Sequence, residues 1–163
     1  MNVLQITIPL IFAVAAVVSC FFRRFPACLI AYASFVSAGL LGVIHFPVSQ
    51  YLIWGFLSLI DTVNIYATRM TPSRPMQLYT VVGCLVGCVV GWLMGSIITF
   101  MVVGAVGAAL GFLAFMRTPQ GRAVKLPMSH LLSLFAGAAC TAWFSMCMVA
   151  VVLEAIFVRS SAL

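Results

Sequence analysis

Apolar residues run in long blocks along this chain, interrupted by short clusters of arginine, proline and serine. A helix of about 18 or more apolar residues matches a hydrocarbon layer about 30 Å thick. Read in order, the blocks predict six such helices, at about 3–22, 26–44, 48–67, 78–94, 97–116 and 128–158. Arg23-Arg24-Phe25-Pro26 is a tight basic turn between the first two. Pro26 suits the first turn of the next helix, where a missing N–H costs nothing. His45-Phe46-Pro47 closes the second span, and Pro47 opens the third. Thr68 to Gln77 and Arg117 to Pro127 read as polar loops. Leu78 to Met116 carries no charge and is too long for one span, so it predicts two spans joined near Gly95-Ser96. The last span is overlong, which a tilt or interfacial ends would accommodate.

Inside that uncharged stretch Gly83, Gly87, Gly91 and Gly95 fall four residues apart, and Gly104, Gly107 and Gly111 follow. Residues four apart share a helix face. Lipid tails are as apolar as leucine, so helices in a bilayer gain little hydrophobic energy by meeting, and close van der Waals contact must hold them. The glycines therefore predict a hairpin with a backbone-to-backbone seam, Gly104, Ala108 and Gly111 forming the complementary smooth face. The rest of the chain is expected to be arranged around this hairpin. An alternative use of the same face is packing against another copy, or lining a ligand path.

Composition sharpens the membrane reading. Apolar residues make up 65% of the chain, charged residues 6%, and the mean hydropathy is +1.26. A soluble domain needs a far larger charged fraction to cover its surface. The length of 163 residues predicts one integral membrane domain, 1–163, with no separate soluble one. The formal charge of +6 comes from loop residues, so it bears on orientation and not on nucleic acid. With six spans, every basic residue but Arg159 falls on one side, the cytoplasmic one by the positive-inside rule, and both termini fall outside. A single span from Leu78 to Met116 would move Arg117, Arg122 and Lys125 to the opposite side. The first span has no basic residues ahead of it, so it is expected not to be an ordinary cleavable signal peptide.

Candidate chemistry is sparse. The third span holds the densest polar group: Ser58, Asp61, Thr62 and Asn64. Asp61 is the acid expected well inside a span, and an intramembrane acid is a candidate functional group by default. Two readings stay open for it: a titrating or cation-binding carboxylate, or a structural tie to Arg69, Arg74 or a freed backbone group near the inner surface. His45, His130 and Glu154 are expected at the interfaces, Glu154 near Arg159. The six cysteines sit in or beside apolar runs without a CxxC pair, and read as small lipophilic packing residues. No nucleophile–base set, phosphate loop or metal motif is present in the sequence, so neither catalysis, a metal nor a cofactor is expected.

Three stretches carry a family resemblance: Phe25-Pro26-Ala27-Cys28-Leu29-Ile30, Leu59-Ile60-Asp61 ahead of a basic loop, and the glycine hairpin followed by Arg117 to Lys125 and a long final helix. In this order the chain resembles the bacterial domain of unknown function 456 family of small glycine-rich membrane proteins. It departs at Thr71-Pro72-Ser73-Arg74-Pro75, where that family tends to glycine and small residues. The resemblance implies a bacterial inner membrane. The expected protein is an all-α, polytopic transmembrane helix bundle with the lipid bilayer as its partner. Two roles remain open: transport of a small or lipid-like substrate past Asp61, or a non-transporting subunit or assembly factor that packs through its glycine faces in a homo-oligomer or membrane complex.

Overall fold

The computed structural model describes residues 3–22, 25–43, 45–67 and 73–161. The Arg23-Arg24 turn, Ile44 and Arg69 lie outside them, as do the side chains beyond Phe157, including that of Arg159. The fold is all-helical. Its elements are α1 (Val3–Ser19), α2 (Ala27–Leu40), α3 (Val48–Ala67), α4 (Arg74–Leu93), α5 (Ile97–Arg117), the single turn α6 (Pro119–Arg122) and α7 (Met128–Ser161).

Prolines set many of the helix starts. The Pro26 carbonyl accepts from Leu29 N, that of Pro47 from Gln50 N, and that of Pro127 from His130 N and Leu131 N. Ser73 caps α4 through a 3.4 Å bond from Met76 N, with Pro75 in the first turn. That start brings Arg74 to Gln77, expected as loop, into the helix. Thr118 caps α6 in the same way, its oxygen accepting from Gly121 N at 3.1 Å. At the end of α2, Gly42 adopts φ +68, and Val43 N reaches back to the Ala38 carbonyl at 3.0 Å. This is the six-to-one bond of a Schellman stop, which needs the left-handed conformation glycine tolerates.

α4 and α5 fold back on each other at Met94-Gly95-Ser96, and their main chains touch. A Cβ added at Gly91 would lie 2.5 Å from Phe100 Cα. At Gly87 it would lie 3.1 Å from Gly104 Cα, and at Gly83 2.9 Å from Gly111 Cα. The facing stripe on α5 is Phe100, Val103, Gly107 and Gly111. Gly104 turns its open side to Cys88 Sγ and the Trp143 ring. Gly95 differs from the expected packing role: with φ +74 and nothing within 4 Å of its missing Cβ, it makes the turn.

The hairpin is not the organising centre, a correction to the sequence expectation. That place belongs to α7, which packs against α1, α2, α3, α4 and α5. Ser145 through Ala150 are all buried, so this part of α7 is enclosed on every side. A second small-residue seam joins α1 to α2. Ala13 and Ala16 pack with Ala31, all buried, and the buried Ser34 Oγ donates to the Pro9 carbonyl at 2.8 Å.

Among the described residues three helices are long and apolar enough to cross a membrane: α4, α5 and Met128–Phe157 of α7. The expectation of six is met only in part by this measure. α1 has 17 residues and α2 has 14, short of a full crossing. α3 has the length but carries Gln50, Ser58, Asp61, Thr62 and Asn64. Outward faces are nonetheless apolar: Leu10, Ile11 and Val14 on α1, Leu52, Phe56 and Ile60 on α3, Val86 and Leu93 on α4, Val106 and Leu113 on α5 are exposed. A monomer in water rarely shows apolar surface on this scale.

Candidate functional site

Asp61, Ser58 and Ser145, three of the polar residues that the bundle buries, collect where α2, α3 and α7 meet. Asp61, on α3, is 6% exposed. Thr141 Oγ1, on α7, lies 2.8 Å from Asp61 Oδ1 and 2.9 Å from the Gly137 carbonyl. The other carboxyl oxygen, Oδ2, is buried and has no hydrogen-bond partner among the described residues. A polar atom in that state costs about 1–3 kcal/mol, more if it is charged.

Cys28, at the start of α2, completes the enclosure. Its Sγ lies 3.5 Å from the Thr141 carbonyl and accepts from Ser145 Oγ at 3.4 Å, while Ser145 Oγ also reaches the Thr141 carbonyl at 2.7 Å. One turn before Asp61, the buried Ser58 hydroxyl donates to the Cys28 carbonyl at 3.3 Å. Beneath, Gln77 on α4 donates from Nε2 to the Cys20 carbonyl at 2.8 Å, and its Oε1 is likewise buried without a partner among the described residues.

The four residues singled out from the sequence therefore separate. Asp61 and Ser58 face inward together. Thr62 binds its own helix, Oγ1 donating to the Ser58 carbonyl at 2.7 Å, and Asn64 is exposed. Of the structural tie, the hydrogen bond shown at Asp61 is with Thr141; Arg74 is exposed at the start of α4, and Arg69 lies outside the described residues. His45, His130 and Glu154 are exposed.

Sequence reasoning missed Thr141, Ser145 and Cys28. A signal was present: Gly137, Thr141 and Ser145 are four apart on α7, a small-polar stripe in an apolar helix. Among the described residues no three His, Cys, Asp or Glu side chains stand close enough to hold a metal. The six cysteines are free, five of them buried and Cys140 exposed. An apolar groove of about 360 Å³ opens between α1, α4, α5 and α7, lined by residues such as Val17, Leu85, Trp92, Phe100, Met146 and Leu153. Asp61 does not line it.

No family model, no curated protein and no solved structure matches this chain.

Proposed function

We propose that this chain is a small polytopic membrane protein of transport type, in which Asp61 is the titrating or cation-binding group. The observation that carries the reading is a carboxyl buried where three helices meet, with one oxygen hydrogen-bonded and the other without a partner among the described residues. A group that expensive to hold in lipid persists where it has work to do. In this reading α1, α2 and α3 complete a bundle of six spans. Their exposed apolar faces support it, because those faces match lipid. The short α1 and α2 then cross a locally thinned bilayer or extend through their flanking turns. The basic loops face the cytoplasm of a bacterial inner membrane and the termini face outward. The resemblance to the domain of unknown function 456 family belongs to the same proposal, as does the absence of catalysis.

The competing role is a non-transporting subunit that assembles through glycine faces. Gly83, Gly87, Gly91, Gly107 and Gly111 are already covered by the chain's own main chain, which supports transport over assembly by that route. The test is flux. The purified protein is reconstituted into vesicles carrying an imposed gradient of protons, sodium or potassium, reported by an entrapped dye. Wild type should dissipate one of these gradients faster than empty vesicles, and Asp61→Asn should return the rate to background with helical content unchanged. Equal flux in both proteins, or none in wild type, would remove the reading.

A further inference from the structure

We infer that the species Asp61 binds is a proton, not a metal cation, and that the structure holds the proton-loaded form. This deepens the proposed function and rests on its site.

The donors at the carboxyl are too few for a buried charge. Thr141 has one hydroxyl hydrogen, yet its oxygen sits within hydrogen-bond distance of two acceptors, Asp61 Oδ1 at 2.8 Å and the Gly137 carbonyl at 2.9 Å. If Asp61 is a carboxylate, that one hydrogen must serve both contacts, as one hydrogen does for the two carbonyls in reach of Thr99 Oγ1, and the buried charge has no second donor among the described residues. If Asp61 carries a proton on Oδ1, it donates to Thr141, and Thr141 donates onward to Gly137. Each contact then has one hydrogen. The unpartnered Oδ2 becomes the carbonyl oxygen of a neutral acid, which loses less by burial than a carboxylate oxygen does.

The surroundings fit a neutral acid and do not fit a metal ion. Among the described residues the titratable groups around the carboxyl are thiols: Cys20 at the end of α1, Cys28 from α2 and Cys140 from α7. Hard cations take about six or more oxygen ligands. Here the hydroxyls of Ser58 and Ser145 are directed at main-chain carbonyls.

The same helix supplies a way in. His130, Ser133, Gly137 and Thr141 are three and four apart, so they share one face of α7 over about 16 Å. His130 and Ser133 are exposed, and nothing lies within 4 Å of where a Gly137 side chain would start. A water-borne proton entering along this face bonds to Asp61 Oδ1 and leaves by the same O–H cleavage, with no other bond changed.

Infrared absorption of the full chain in lipid vesicles tests this directly, because Asp61 and Glu154 are its two acidic side chains. At neutral pH wild type should show the carbonyl band of a neutral buried acid. The band should persist in Glu154→Gln, vanish in Asp61→Asn, and move to higher frequency in Thr141→Val, which removes its hydrogen-bond partner. Asp61→Asn should also unfold at or above the wild-type temperature, since its amide can donate to Thr141 as the acid does. Exchange of the band into D₂O should slow several-fold in Gly137→Leu. The inference is overturned by a carboxylate band alone at neutral pH, by a neutral band that sodium or potassium abolishes, or by unfolding of Asp61→Asn. Flux separates the two claims: the band without flux sinks transport and leaves the proton site, and flux without the band does the reverse.

Discussion

Alanine in place of Gly87 and alanine in place of Gly137 are the same chemical change in two apolar helices, and the structure predicts opposite signs. At Gly87 the new Cβ meets the Val103 carbonyl group, with Val103 C at 3.0 Å and Gly104 Cα at 3.1 Å. Packed carbons rest about 3.5–4.0 Å apart, so α5 must retreat by roughly half an ångström or more. The obstacle is main chain, and no rotamer change relieves it. Moving α5 also loosens the contacts of Gly83 and Gly91 on the same face. Overpacking of this kind costs about 1–3 kcal/mol, against which alanine gains up to about 1 kcal/mol over glycine in helix propensity. The expected net loss for Gly87→Ala is about 1–2 kcal/mol. At Gly137 nothing lies within 4 Å of the new atom. The propensity gain then stands alone, and Gly137→Ala should be neutral or stabilised by up to about 1 kcal/mol. The assay is loss of helical signal on heating, or on titration with a denaturing detergent, with both variants measured beside wild type. Variants that move together, or a Gly87→Ala protein at least as stable as wild type, would refute the main-chain seam. Gly87→Leu should be worse than alanine and separate the helices.

Three further outcomes follow from single contacts. Gly95→Ala places a side chain at φ +74 and should cost about 1–2 kcal/mol through backbone strain alone, read in the same unfolding assay. Trp143→Phe removes the 2.8 Å bond from Nε1 to the Met101 carbonyl that ties α7 to α5, a loss of about 1 kcal/mol; unchanged stability would mean that bond is absent in the folded protein. In the folded, detergent-solubilised protein N-ethylmaleimide should modify Cys140 first, and Cys140→Ala should abolish the fast phase, because the other five cysteines are buried.

Much of the architecture was legible from local pattern. Pro26 and Pro47 marked helix starts, and the glycines four apart marked the seam, because both signals are written within one or two helical turns. Helix ends were less legible. The first span was expected to reach Phe22 and stops at Ser19, and the fourth begins at Arg74 instead of Leu78. Such ends depend on caps: Ser73 and Gly42 act through single hydrogen bonds that hydropathy does not register. Asp61 could be singled out as costly in lipid, but its partner could not. Thr141 lies eighty positions away in sequence and meets it only because α3 packs on α7.

The sequence by itself determined an all-helical chain with helices apolar enough to cross a membrane, the hairpin at Gly95 and the acid inside an apolar helix. It did not reveal that α7 is the centre of the bundle, that Ala13, Ala16 and Ala31 form a second seam, or that Thr141, Ser145 and Cys28 enclose Asp61. The physical reason is the solvent. In water, burial separates apolar from polar positions and so writes itself into the sequence. In a bilayer a leucine facing lipid and a leucine facing another helix have nearly the same environment, so hydropathy cannot distinguish the core helix from its neighbours. Only the fit of one helix surface against the next decides that, and the fit exists only once the helices are assembled.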